Sequence, residues 1–426
     1  MNNALLSSYE CLRQVFGDGA YSTVELNNYL SEAQISDKAL ITKIVYGVLD
    51  NDIELRYIIS KFAKGRVKCA VMTALEIGVY CLKYLSIPTY AVVNDVVELS
   101  KITGKRYIVG FVNATLKSIA SAIQSDEIVY PTDKKEYLSI KYSYPMWALN
   151  KLIKDYGESV AEDIISYRLP TYNTVRVNTD KISTAEFCKL LEECNLTYYS
   201  TIFPDAFNVV GKINIDSSLF TNQSLSSMIV CKSLSCVGKC SVLDVCGAPG
   251  GKSVYIAQLN KEAKVTSCDI HPHRVQLIES YAQRLGVELT ALCMDATEFN
   301  ADFAEKFDYV LCDAPCSGFG VLDTKPDIKL FRSNEDIGSL IITQSAILDN
   351  CCKYVKKGGT LIYSTCTVFA NENGDRIKKF LLTHQDFALS TININQLPDV
   401  STATKQFLPY KDGVQGFYIA KMVKKG

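Results

Sequence analysis

The stretch "SVLDVCGAPGGKSVYIAQL", residues 241–259, passes from an apolar strand through a glycine-rich turn into a helix. The opening "SVLDV" is short and apolar, as a strand buried on both faces must be. Gly247, Gly250 and Gly251 allow a sharp turn and a close approach of backbone to a ligand. The turn is not a phosphate loop, because Lys252 lacks the GxxxxGK frame, and its glycines do not fit GxGxxG. Downstream the rhythm repeats. "AKVTSCDI", "VELTALCMDA", "FDYVLCDAP" and "GGTLIYSTCT" read as strands, with "PHRVQLIESYAQRLG" and residues 334–355 as helices. Strands alternating with helices predict an α/β domain with a mostly parallel sheet covered on both faces. "GFYIAKM" reads as a late strand, expected on the sheet edge.

Asp244, Asp269 and Asp295 close three successive predicted strands. In doubly wound sheets, the acid ending the second strand commonly meets a ribose diol. Acids in this row suit a nucleoside cofactor with a cationic sulfonium or amino group better than one carrying phosphates. The competing reading is turn chemistry, since Asp is common where strands end.

Two cysteines sit where strands yield to turns: Cys316 in "DAPCSG" and Cys366 in "STCT". Inert core thiols are the rival reading; they fit Cys268, Cys293 and Cys312, which lie inside strands. A disulfide is disfavoured in a reducing compartment. No metal site is expected: the sequence has no CxxC, and His271 and His273 offer no familiar spacing. A thiolate does suit methylation at carbon 5 of a pyrimidine. Sulfur adds to carbon 6, carbon 5 becomes enamine-like and takes a methyl cation, and the thiolate leaves once a base removes the carbon 5 proton. Asp313, three residues before Cys316, is placed to meet the base edge. Such chemistry needs an unstacked base.

The chain has 426 residues, a net charge of -1 and 16 cysteines without a leader peptide, which suggests a multidomain cytoplasmic protein with reduced thiols. Its charge balance gives no general nucleic-acid signature, so any RNA surface must be a local patch. Residues 1–128 read as an all-helical domain: Leu40, Ile44, Val45 and Val48 form one stripe, and Leu55, Ile58, Ile59 and Phe62 another. "LSIP" and "KITG" punctuate its helices. Residues 129–144, polar and proline-marked, read as a linker. Residues 145–235 mix helices with short strands: "YNTVRVNT" is a strand, and Ser183 or Thr184 with Glu186 caps a helix. Residues 236–426 form the α/β domain.

These motifs together resemble the RsmB/Sun family of RNA cytosine-5 methyltransferases. The family's D-x-C-A-A-P-G-G-K loop corresponds here to Asp244, Cys246, Gly247, Ala248, Pro249, Gly250, Gly251 and Lys252. The resemblance implies that this loop holds the methionine part of S-adenosyl-L-methionine, with Lys252 near the reaction centre. Asp269 and Arg274 fall on the ribose side and Asp295 near the adenine; Asp313 belongs to both cofactor and catalytic sets. It implies that Cys366 is the nucleophile and that Cys316 releases product. The implied architecture is a class I, Rossmann-like methyltransferase domain preceded by an RRM-like α+β segment and an all-alpha NusB-like domain. "PTYAVVNDVVELSK" and "GFVNATLK" carry the NusB-like resemblance. The implied partner is 16S ribosomal RNA, free or in an early assembly state, bound by a monomer with no DNA or membrane. "TKPDIKLFR", residues 324–332, is expected to border the RNA cleft, and Trp147 and Arg176 are candidates to touch RNA. Gly247 stands where the family has alanine and is expected to add local freedom. The active-site residues leave transfer RNA and large-subunit RNA open as substrates. A catalytically silent RNA-binding assembly protein and a dinucleotide dehydrogenase are the rivals from other classes.

Overall fold

The structure, a computed structural model, describes residues 3–20, 22–32, 35–103, 108–170, 172–397 and 401–426. Two compact units divide the chain: residues 1–166 with 322–333, and residues 167–321 with 334–426. Among the described residues no helix is long and apolar enough to cross a membrane.

The first unit is helical. Its helices are α1 (Asn3–Asp18), α2 (Ser22–Glu32), α3 (Ile35–Phe62), α4 (Cys69–Tyr84), α5 (Thr89–Thr103), α6 (Ile108–Gln124), α7 (Lys134–Lys141), α8 (Met146–Tyr156) and α9 (Glu158–Ser166). The two stripes read from the sequence lie on one unbroken helix, α3, and Ile44, Val45, Val48, Leu55, Ile58 and Ile59 are all in the core. Helix α4 is buried over most of its length, and its apolar residues face helices on several sides. "LSIP" separates α4 from α5; Gly104 of "KITG" lies outside the described residues.

Residues 129–144 carry helix α7 where a linker was expected. Asp133 caps it, accepting the Glu136 N–H at 2.9 Å. Most polar side chains of α7 stay exposed, but residues flanking the helix reach the buried Glu54. Tyr130 donates to Glu54 Oε1 at 2.5 Å, and Ser143 Oγ accepts the Glu54 N–H at 3.0 Å.

The second unit holds two sheets. The smaller is antiparallel in the order β2-β3-β1-β4, from β1 (Asn173–Val177), β2 (Tyr198–Ser200), β3 (Ala206–Val209) and β4 (Phe220–Asn222). Helix α10 (Thr184–Glu193) packs Phe187 and Leu191 against Val175 and Val177. Its capping box joins Ser183 and Glu186, the cap expected from sequence.

The larger sheet follows α11 (Leu225–Ser233). In chain order come β5 (Cys240–Asp244), α12 (Gly251–Leu259), β6 (Ala263–Asp269), α13 (Pro272–Leu285), β7 (Thr290–Cys293), β8 (Phe307–Asp313), α14 (Ile328–Phe331, which belongs to the helical unit), α15 (Asn334–Tyr354), β9 (Val355–Thr365), α16 (Gly374–Thr383), β10 (Phe387–Leu389), β11 (Thr404–Phe407) and β12 (Phe417–Lys424). Strand order is β10-β12-β9-β8-β5-β6-β7, with β11 paired to β12. Strands β5 to β9 pair in parallel and β12 runs antiparallel to β9. Neighbouring residues of one strand serve opposite faces, as the pleat requires. Leu243 packs with Ile347 and Leu348 of α15, while Val242 packs with Met228 of α11 and Ile256 of α12. The α/β architecture with helices on both faces is the one the strand–helix alternation predicted.

Two local expectations fail. Strand β12 is not an edge: it lies between β9 and β10, and its almost wholly buried side chains explain why it reads as apolar. Cys293 is exposed, because β7 is the edge strand and only its neighbour β6 covers it.

Candidate active site

The parallel strands end on one edge of the sheet, and their spatial order arranges the chemistry. Reading β9-β8-β5-β6-β7, the ends carry Cys366, then Asp313 and Cys316, then the glycine loop, then Asp269, then Asp295. The order of connection reverses at β5: the chain steps outward through β6 and β7, then returns to β8 on the other side. Ligands of open parallel sheets bind at this kind of switch point.

At β5 the chain enters the glycine loop. Gly247 N–H bonds Cys268 O and Gly250 N–H bonds Gly247 O, both at 2.8 Å, which closes a tight turn through the cis Ala248–Pro249 bond. Gly250 has φ +111°, and it begins α12 where a side chain would press on Ile278. Gly247 itself does not use left-handed backbone. A Cβ built on it would stand 2.0 Å from Ser267 Oγ and 2.9 Å from Ser253 Oγ. The departure from alanine therefore makes room for Ser267 rather than adding local freedom. Ser267 and Ser253 share a bond of 2.7 Å, and Ser253 donates to Asp244 Oδ2 at 2.6 Å. Asp244 is fully buried, and burial pushes its carboxyl up to about 6. Its Oδ1 has no partner. Burial also raises the Cys246 thiol well above its ordinary range.

Asp269 is 3% exposed; Oδ1 accepts the His271 N–H, and Oδ2 lies 3.3 Å from Arg274. Arg274 also reaches Ala248 O at 3.4 Å, so the pair bridges the β6 end to the glycine loop. Asp295 bonds the Thr297 N–H and hydroxyl, at 2.8 and 2.6 Å, so turn chemistry accounts for one of its oxygens. An orphaned buried carboxylate oxygen, a glycine turn without side chains, and two further acids on adjacent strand ends fit a nucleoside cofactor carrying a cationic amino acid. Residues 246–252, Asp269 and Asp295 could hold one.

At β8, Asp313 Oδ2 lies 2.6 Å from Lys252 Nζ and Oδ1 accepts Ser364 Oγ at 2.6 Å. Burial by itself lowers the Lys252 pKa, but the neighbouring Asp313 carboxylate outweighs it, and the net shift is upward. The ammonium thus stays charged beside the crevice.

Cys316 and Cys366, fifty residues apart in sequence, meet with their sulfurs at 3.0 Å, and the Cys366 N–H points at the Cys316 sulfur at 3.2 Å. Both are free thiols; a disulfide would need about 2.05 Å. The bond to the Cys366 sulfur, and then burial, push the Cys316 thiol well above its ordinary range. Cys366 is the more exposed of the two. The structure thus brings Lys252, at the start of α12, to Asp313 at the end of β8, with Cys316 and Cys366 just beyond the ends of β8 and β9.

Arg176, a candidate to touch RNA, is 2% exposed. Its Nε donates to Gln223 Oε1 at 2.6 Å, and its guanidinium lies 4.2 Å from the Tyr255 ring. It braces the small sheet against α12; the alternating strand pattern did not show that this position faces inward. Trp147 is half-buried on α8. "TKPDIKLFR" falls within the stretch that groups with the helical unit. There Lys329 bonds Asp50 through both its carbonyl and its carboxylate at 2.7 Å, and Asp327 accepts the Ser22 N–H at 3.2 Å. Lys329 and Asp327 are therefore turned into the helical unit rather than lining a cleft. The stretch "ANENGD" after Cys366 resembles the family's Glu/Asn-rich segment, but the reading from sequence gave no role to its Glu372, which is buried between the two cysteine loops. Its neighbours Asn371, Asn373 and Asp375 make the stretch read as an exposed polar turn, so nothing local shows that Glu372 is buried.

Three family profiles match the chain: the NusB family over residues 4–121, the RsmF/B-like methyltransferase ferredoxin-like domain over 144–216, and the 16S rRNA methyltransferase RsmB/F over 233–423. A curated relative from Bacillus subtilis, a probable ribosomal RNA small subunit methyltransferase B, is 36% identical and covers 98% of both chains. The ribosomal RNA small subunit methyltransferase B of an Escherichia coli strain is 30% identical over 91% of each. Among solved structures, that of PH0851 superposes with a TM-score of 0.84 over 99% of this chain and 98% of that one, at 22% identity, which speaks to fold. By its likeness to these relatives and by the profile lying across both thiols, this chain belongs to the 16S rRNA methyltransferase RsmB/F family.

Proposed function

We propose that the protein methylates carbon 5 of one cytosine in 16S ribosomal RNA through a covalent bond between Cys366 and carbon 6 of the base. The single observation that carries this reading is the pair of free thiols at 3.0 Å, beside the Lys252–Asp313 pair and the glycine loop. S-adenosylmethionine supplies an electrophilic methyl group when bound. Residues 246–251 cradle its methionine part and Asp269 its ribose.

Cys366, the more exposed thiol, adds as thiolate to carbon 6, and the electron pair moves to carbon 5. Asp313 meets the amino and ring-nitrogen edge of the cytosine and helps it accept that charge. Carbon 5 takes the methyl group, loses its proton to a base, and the electrons of that bond expel Cys366. Cys316, held as a thiol by its sulfur contact and by burial, lies where it can act on the adduct during that second half. Lys252 keeps Asp313 oriented toward the base. The cytosine must be unstacked, which favours RNA that is free or only partly assembled. The protein acts as a monomer in the cytoplasm.

Bisulfite mapping of ribosomal and transfer RNA from cells with and without the protein tests the substrate. One 16S cytosine should lose its protection when the protein is absent. Loss confined to transfer RNA or to 23S RNA would overturn the substrate and leave the chemistry in place.

A further inference from the structure

Glu372 lies in the turn after β9, is 0% exposed, and has neither cofactor nor base contact in the mechanism above. Its carboxylate is held by neutral donors. Oε2 accepts the Ser317 N–H at 2.9 Å and Gln344 Nε2 at 3.0 Å, and Oε1 accepts Ser317 Oγ at 2.6 Å. The same Gln344 nitrogen donates to Pro315 O at 3.0 Å. The two peptide groups flanking Cys316 are therefore both fixed, one by Glu372 directly and one through the Gln344 side chain that Glu372 orients. Ser317 Oγ also meets Thr367 Oγ1 at 2.7 Å, which ties the residue after Cys316 to the residue after Cys366. The two loops are sewn again further on, where Gly320 N–H bonds Cys366 O at 3.0 Å.

A carboxylate buried without a cation is costly unless every donor around it is well placed. Here each donor belongs to the Cys316 loop or to the side chain that braces it. We infer that Glu372 is a positioning residue that sets where the Cys316 sulfur stands relative to Cys366, and so governs release of the methylated RNA rather than methyl transfer. This rests on the proposed covalent mechanism. Glu372→Gln keeps the shape but replaces one acceptor oxygen with an NH2, which must face either the Ser317 or the Gln344 donors.

The test follows the full-length protein, S-adenosylmethionine and 16S RNA in single-turnover reactions, with covalent RNA–protein adduct read on denaturing gels. Glu372→Gln should transfer methyl within about threefold of the parent rate but hold the adduct at least tenfold longer, as Cys316→Ser should, with cofactor affinity unchanged. Gln344→Ala should lengthen adduct lifetime in the same direction by a smaller factor, and this second variant decides the matter if Glu372→Gln does not fold. Parent-like adduct lifetimes in Glu372→Gln, or in Gln344→Ala where it must stand in, alongside a long-lived Cys316→Ser adduct, would overturn the positioning role alone. Equal loss of methyl transfer and cofactor binding would also overturn it, since that is what a general structural defect produces. If Cys316→Ser itself accumulates no adduct, the covalent release step fails, and the role of Glu372 falls with it.

Discussion

Two fully buried carboxylates in each unit are held in opposite ways. In the helical unit, Glu54 and Glu76 are fully buried, and each has a cation at 2.7 Å, Lys83 for the first and Arg56 for the second. In the sheet unit, Asp244 and Glu372 are just as buried, yet hydroxyls and amides hold them. A buried acid bonded to a basic side chain is a staple: Lys83 is itself mostly buried, and Arg56 brings its guanidinium to Glu76 from a half-exposed position. An acid held by neutral donors has no counter-charge to offset its burial, and Asp244 keeps one oxygen unpartnered. Both such acids lie at or just beyond strand ends, beside the glycine loop and the two thiols. The contrast separates charge used for cohesion from charge used to shape a site.

Substitutions can break this contrast, and the largest effect belongs to the site. Cys366→Ala should lower methylation by more than about 10⁴-fold while leaving fold and cofactor affinity intact, because a lone nucleophile has no substitute. Rapid-quench methyl transfer and equilibrium cofactor binding on the same preparation would check both halves. In the helical unit the cost should fall on stability instead. Glu54→Gln leaves Lys83 buried without its counter-charge and should cost about 3–4 kcal/mol in urea unfolding, with turnover per folded molecule unchanged.

Asp244 gives the comparison a pH signature. Its folded carboxyl titrates at about 6, above the unfolded value, so the folded state holds the extra proton between the two. Its contribution to stability is therefore fully present below the unfolded pKa, about 4, and is lost as pH rises through 6. Asp244→Asn should remove a slope worth up to about 3 kcal/mol between pH 4 and 7, seen as flatter urea midpoints across that range. The smallest effect tests the glycine loop. Gly247→Ala should cost about 1–3 kcal/mol by pressing on Ser267, and Ser267→Ala in the same chain should return at least half of it. Without that rescue, Gly247 would serve the turn itself rather than the space beside it.

Legibility followed the kind of signal each residue emits. The α3 stripes, the Ser183–Glu186 cap and the strand–loop–helix at residues 241–259 are local, and each formed as its spacing required. Residues whose partners are distant in sequence were misread. Arg176 looked like a surface cation because nothing near it in the chain announces Gln223 or Tyr255. Residues 129–144 looked like a linker because Glu54, the acid their side chains reach, is some eighty positions away. The stretch 324–332 was expected to border the RNA cleft, and nothing near it in the chain announces that its Lys329 bonds Asp50, 279 residues upstream.

The amino-acid sequence by itself determined the periodicities, the turn at Gly247 to Gly251 and the identity of the two thiols, because these depend on neighbours a few residues away. Only the tertiary structure decided that Cys316 and Cys366 touch, that Glu372 lies between their loops, and that Gly247 exists to admit Ser267. The physical reason is the parallel sheet. Its crossovers carry distant segments to adjacent strand ends, so the chemistry is assembled by strand order, which no local pattern encodes.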